Sequence, residues 1–154
     1  MSKVEEKLRA MGLELPEAPT PVAAYLPCVR TGNLIFVSGQ VPREKGELRH
    51  RGHVGSERNL VEAADAARIC ALNALSVVKN EIGDLDRIRR IVKITGFVAS
   101  SEGFHQQPKV IDGASVFLAE LLGDKGQHAR AAVGVNELPL GASVELDMIV
   151  EVEP

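Results

Sequence analysis

Tryptophan is absent from this 154-residue chain, tyrosine occurs once and phenylalanine four times, so aromatic residues amount to 3%. Stacking platforms for bases are therefore scarce, which argues against single-stranded nucleic acid as a ligand. Positive charge is short as well. Eighteen Lys and Arg face 21 Asp and Glu, for a formal net charge of −3, and this leaves no basic footprint for a phosphate backbone. The two cysteines, Cys28 and Cys70, show neither metal-ligand spacing nor a disulfide framework. They read as small buried side chains in a reducing cytoplasm. No apolar run approaches a membrane span, and the N-terminus lacks the apolar segment of a secretion signal. A soluble cytoplasmic protein is expected, in one domain covering residues 1–154, with a core drawn from Val, Leu, Ile and Ala.

Periodicity supplies the elements. Val4, Leu8 and Met11 fall on one stripe of a short N-terminal helix that Gly12 ends, and Pro16, Pro19 and Pro21 then force an extended connector. Tyr25–Arg30 and Leu34–Ser38 read as a hairpin turned by Gly32-Asn33, and the polar stretch from Arg43 to Gly55 as a loop with one short strand. Asn59 and Glu62 form a capping box for a long helix whose buried face is Ala63, Ala66, Ala67, Cys70, Ala74, Val77 and Val78, stopped by Gly83. Ile88–Ala99 reads as a long strand, and Pro108–Leu122 as a second helix with Pro at its start and Gly123 after it. The order is ββ, helix, strand, helix, ββ. This predicts an α+β fold whose mostly antiparallel sheet carries two helices on one face. The other face is mixed, of a kind that copies of the same chain cover.

The most informative stretch is Gln127-His128-Ala129-Arg130-Ala131-Ala132-Val133-Gly134-Val135, then Leu138-Pro139, then the strand Val144–Val152. Taken as a closing hairpin, it has one face built from Val133, Val135, Val144, Leu146, Met148, Val150 and Val152. The other face sets Arg130 opposite Glu145, Asp147, Glu151 and Glu153. An Arg–Glu pair across two strands has a plain structural reading as a surface ion pair of little energetic weight. Its functional reading is an anchor: a guanidinium forks two donors onto a carboxylate, and Glu145 handles a water or proton beside it.

Two blocks carry a resemblance. Tyr25, seven residues before Gly32-Asn33, with Phe36-Val37-Ser38-Gly39-Gln40-Val41-Pro42, resembles the N-terminal signature of the RidA/YjgF family. His128-Ala129-Arg130 through Val135, Leu138-Pro139 and Val144-Glu145-Leu146 resembles its C-terminal signature, and the similarity covers roughly residues 20 to 153. The resemblance implies a chorismate mutase-like fold, a homotrimer with clefts between neighbouring subunits, and residues 1–15 as an added helix. It implies cofactor-free hydrolysis of reactive 2-enamine and 2-imino acids to 2-keto acids and ammonia, and it carries an older reading as an endoribonuclease.

Position by position, the resemblance puts Arg130 on the carboxylate-binding arginine and Glu145 on the glutamate that positions the attacking water. Tyr25, Ser38 and Gly39 fall on cleft-lining positions. The family's usual Cys two residues after the arginine is Ala132 here, where a backbone N–H would still serve. An Asn common at the start of the second helix is Asp112, which repels an acidic substrate if it lies near the cleft and is tolerable if it caps that helix and points at it. These two departures keep open a second class of function, a protein that binds a small carboxylate or keto acid without turnover. Ribonuclease action lacks an evident acid–base histidine pair. His50, His53, His105 and His128 are too scattered to suggest a metal site, and Arg87, Arg89, Arg90 and Lys93 read as a solvated strand entry.

Overall fold

The computed structural model describes residues 1–20 and 24–154. The elements are α1 (Lys3–Ala10), β1 (Cys28–Thr31), β2 (Leu34–Gln40), β3 (Arg43–Glu44), β4 (Glu47–Leu48), α2 (Leu60–Ile82), β5 (Ile88–Ala99), α3 (Gln107–Leu122), β6 (Ala129–Val135) and β7 (Val144–Val152). Five strands form one sheet in the order β1-β2-β7-β5-β6, and β3 pairs with β4 in a separate small hairpin. The loop expected from Arg43 to Gly55 therefore holds two short strands. The first strand starts only at Cys28, so Tyr25 precedes it. Gly32 takes a left-handed φ of 57°, while Asn33 is not among the residues with positive φ, so the turn needs only its first central residue in that region. Of the three connector prolines, Pro21 lies outside the described residues.

The long helix α2 begins and ends where local chemistry says it should, and α3 carries Pro108 in its first turn and Gly123 after it. Asn59 Oδ1 accepts from the Glu62 N–H at 2.8 Å and Glu62 Oε1 accepts from the Asn59 N–H at 3.1 Å. Gly83 closes α2 with a φ of 81°. The seven small residues expected on the inner face of α2 are all buried. Small side chains let α2 and α3 cross closely: a Cβ on Gly113 of α3 would stand 2.0 Å from the Ala64 carbonyl oxygen of α2. Gly96 of β5 similarly makes room for Ile111 of α3. Beneath the helices lie Ile91, Ile94, Leu146, Met148 and Val150, each at most 1% exposed. Fully burying such a side chain stabilises by roughly 1.5–3 kcal/mol.

The N-terminal helix is docked rather than loose. Ser2 and Glu5 form a capping box, and the Asp86 carboxylate accepts from the Lys3 and Val4 N–H groups at 2.9 and 3.0 Å. Leu8 enters the core and Glu5 pairs with Lys79 of α2.

The expected closing hairpin does not form. β6 pairs in parallel with β5, while β7 lies between β2 and β5 and pairs antiparallel with both. The reason is the order β5–α3–β6: a helix that carries the chain back across the sheet delivers the next strand parallel to the first. The chain then passes over the end of β5 to reach β7. That connection is pinned at Asn136, whose carbonyl accepts from His53 Nε2 at 2.8 Å. Among the described residues no helix is long and apolar enough to cross a membrane.

Candidate functional site

Register across the sheet assigns each candidate to a face. Phe97 of β5 pairs with Glu145 of β7 and with Val133 of β6, and Thr95 pairs with Asp147 and Ala131. These residues share the face that no helix covers, together with Phe36 and Ile149. Val133, expected on the greasy side, is 42% exposed here, as is Phe36. The helix-covered face instead holds Ile94 with Met148 and Arg130, and Gly96 with Leu146 and Ala132. Arg130 and Glu145 of one chain thus point to opposite faces. The expected cross-strand pairing is wrong because β5 lies between the two strands and sets the parity of each.

Glu145 is partly buried on the open face and has no hydrogen-bond or salt-bridge partner among the described residues. Burial, followed by the nearby Asp147 carboxylate, pushes its carboxyl above the usual glutamate value. Gly39 creates its space: a Cβ there would meet Glu145 Cδ at 3.0 Å and Oε1 at 3.1 Å. Gly39 sits where β2 slips register between Val37 and Gln40, so Ser38 and Gly39 together oppose Asp147 alone. Ser38 Oγ donates to the Leu26 carbonyl at 2.6 Å, and the Ser38 N–H donates to Pro27 at 2.9 Å. The 25–27 segment is thereby tied to the bulge, with Tyr25 61% exposed on it. The structure brings Ser38, Gly39 and Glu145 together and sets Tyr25 in the adjoining segment.

Arg130 makes a different cluster, between edge strand β6 and α3. Its Nη1 forms an ion pair with Asp112 Oδ1 at 2.8 Å and donates to Ser115 Oγ at 3.0 Å, and its Nη2 donates to the Pro108 carbonyl at 3.2 Å. A hydrogen on Nε and one on Nη2 keep no partner among the described residues, so part of the guanidinium fork is available to an anion. Asp112 does not cap α3. Gln106 occupies the cap position without a side-chain bond, and Asp112 lies beyond the first turn of the helix, where it faces Arg130. Ala132 is on the same face of the strand, two residues on, and packs against the core.

Two residues of this cluster carried no assigned role in the sequence. His128 Nδ1 lies 2.7 Å from the Gly126 carbonyl and its Nε2 lies 2.9 Å from Ser115 Oγ. Spacing held the signal: His128 is two residues before Arg130 in the extended entry to β6, and Ser115 is three after Asp112 on a helix, so each pair lies on one side. The other histidines go elsewhere. His50 Nε2 meets Asp65 Oδ2 at 2.8 Å, His53 lies between Glu57 and Glu137, and His105 is exposed. Among the described residues no three His, Cys, Asp or Glu converge as metal ligands. Cys70 is buried between α2 and the sheet and Cys28 is half-buried beside Glu81, with burial raising both thiols.

The chain as a whole is similar to known proteins. The family described as "YjgF/chorismate mutase-like, putative endoribonuclease" matches residues 5–152. The chain belongs to this family. It is 41% identical over 150 residues to protein TCP17 of Trypanosoma cruzi, covering 97% of this chain and 94% of that one. A crystal structure of a protein of unknown function from Agrobacterium tumefaciens superposes with a TM-score of 0.93 at 47% identity, covering 97% of this chain and 92% of that chain. A 2-iminobutanoate/2-iminopropanoate deaminase of Dermatophagoides farinae is 27% identical over 141 residues, covering 92% of this chain and 95% of that one. The fold is accordingly the family's chorismate mutase-like α+β architecture, with α1 as a third helix packed against α3.

Proposed function

We propose that this protein hydrolyses reactive 2-imino and 2-enamino acids to 2-keto acids and ammonia without a cofactor, in a cleft between copies of the chain. The observation that carries the reading is the state of Glu145: a half-buried carboxylate without a partner among the described residues, in space that Gly39 leaves open. Such a group suits handling of a water or a proton. The deaminase name of the Dermatophagoides relative supports the same chemistry.

Arg130 and Glu145 serve opposite faces of one sheet, so the site draws Arg130 from one copy and Glu145, Ser38 and Gly39 from its neighbour. The open face favours assembly, since Val29, Phe36 and Val133 expose apolar surface beside Thr95 and Asp147. Three copies close the ring. Arg130 holds the substrate carboxylate on its free donors. Water positioned by Glu145 adds to the imine carbon, and its proton passes through the carboxylate to nitrogen. The carbinolamine then expels ammonia as the carbonyl forms. One water enters and one ammonia leaves, so no oxidant or reductant takes part. Cys28 and Cys70 as free thiols fit a cytoplasmic setting for this work.

The test is the rate at which purified protein removes imines released by an amino-acid oxidase, followed by semicarbazone trapping. Wild type should accelerate imine loss, and Arg130→Ala and Glu145→Gln should not. A second reading, binding of keto acids without turnover, is favoured by the Asp112 carboxylate on Arg130. In that case wild type binds 2-ketobutyrate yet removes imine no faster than Arg130→Ala.

A further inference from the structure

We infer that Ser115 and His128 are positioning residues for Arg130, with His128 acting through the Ser115 hydroxyl as a neutral imidazole protonated on Nδ1. The inference rests on the reading of Arg130 as a carboxylate anchor.

For a neutral His128 ring, proton accounting gives the direction of the chain. The Gly126 carbonyl, 2.7 Å from His128 Nδ1, can only accept, so Nδ1 carries a hydrogen. Arg130 Nη1, 3.0 Å from Ser115 Oγ, can only donate, so it uses a lone pair of that oxygen. The one acceptor paired with the Ser115 proton is His128 Nε2 at 2.9 Å. The sequence is therefore Arg130 N–H to Ser115 oxygen, Ser115 O–H to His128 Nε2, and His128 Nδ1–H to Gly126. Every polar group in it is satisfied, and each bond polarises the next. It ends on a backbone carbonyl in the turn after α3, where Gly126 is buried. A Cβ on Gly126 would lie 2.1 Å from the Leu118 carbonyl oxygen, so this turn sits hard against α3 and has little freedom to shift. Arg130 Nη1 is in this way held from two directions, by Asp112 and by Ser115, while its Nε keeps a hydrogen free.

Without Ser115 the guanidinium keeps Asp112 and the weaker contact to Pro108 and can turn about Asp112, so its free donors no longer have one orientation. Removing His128 takes away the acceptor that orients the Ser115 proton, and Ser115 can then turn its hydroxyl to a helix carbonyl instead. Both losses act on one contact, which makes them non-additive.

The experiment is titration calorimetry of the full chain with 2-ketobutyrate, together with nitrogen-15 NMR of the histidine rings. In wild type the NMR spectrum should show His128 as the Nδ1–H tautomer, the less common neutral form in water. Ser115→Ala should weaken 2-ketobutyrate binding about tenfold, the loss of one hydrogen bond to a charged group. Ser115→Thr should restore it by returning the hydroxyl. His128→Gln should weaken binding, and the double variant should bind no worse than Ser115→Ala. Additive losses, unchanged affinity in Ser115→Ala, or an Nε2–H tautomer in wild type would each overturn the inference. Wild type that fails to bind 2-ketobutyrate removes the anchor reading and this inference with it. Wild type that binds while Ser115→Ala binds equally well removes only this one.

Discussion

The Cα of Gly39 faces the Glu145 carboxyl so closely that an added methyl would stand 3.0 Å from Glu145 Cδ. Gly39→Ala is therefore expected to push the carboxylate out of its place while leaving the fold intact. Since the methyl meets the far end of a side chain and no backbone, the loss of stability should be about 1 kcal/mol or less. Turnover in the semicarbazone assay should fall well below wild type while the melting temperature drops by no more than about 4 °C. Full activity would separate Glu145 from the chemistry.

Glu145 also predicts a pH dependence. Its folded value is raised above the ordinary 4.5 by burial, then by Asp147. Between the unfolded and folded values the folded chain binds the proton that the unfolded chain has released, so stability falls as pH rises through that window. Above the folded value the charged, poorly solvated carboxylate is a full liability; below the unfolded value it is none. Glu145→Gln should be more stable than wild type in urea denaturation at pH 7.5 and indistinguishable from it at pH 3. A variant less stable at pH 7.5 would contradict the burial argument.

In the proposed site, Asp112 competes with an anionic ligand for Arg130. Asp112→Asn removes that competition and the like charge, and should tighten 2-ketobutyrate binding by up to about 1 kcal/mol, given that the pair is partly exposed. Arg130→Lys retains the charge but loses the planar fork, and should weaken binding by about 1.5–3 kcal/mol. Calorimetry measures both. Lysine binding as well as arginine would remove Arg130 from the site.

The crossing of α2 and α3 depends on Gly113, whose added Cβ would overlap the Ala64 carbonyl oxygen at 2.0 Å. Neither backbone can yield locally, so Gly113→Ala should lower stability by about 3 kcal/mol, the upper range for overpacking. A urea midpoint equal to that of wild type would show that the helices have room to separate.

The exposed apolar residues of the open sheet face predict association. Sedimentation at micromolar concentration should give a species near three times the 16.5 kDa chain mass. Phe36→Asp, which places a charge on that face, should shift it toward monomer and abolish imine hydrolysis together. A wild-type monomer would leave Arg130 and Glu145 on separate surfaces and defeat the shared cleft.

Much of the fold was legible in the sequence because its causes are local. Asn59 and Glu62 close a capping box within one turn, Gly83 can adopt φ of 81° where other residues strain, and the alternation from Val144 to Val152 needs only the pleat of one strand. The candidate residues were legible too, as chemistry: a guanidinium on a strand edge, a carboxylate on a strand, and a glycine after a serine. Their relation to one another was not. A period of two says which residues of one strand share a face, but the parity between two strands depends on what lies between them. Here β5 separates β6 from β7, and that sent Arg130 and Glu145 to opposite sides. Asp112 met the same limit: its place beyond the first turn of α3 followed from where the helix starts, and its partner from how α3 lies on β6. The sequence by itself determined the elements and the reactive groups, since propensity, capping and alternation act over a few residues. Only the tertiary structure decided which groups meet, because strand order and helix crossing arise from contacts between segments far apart in the chain.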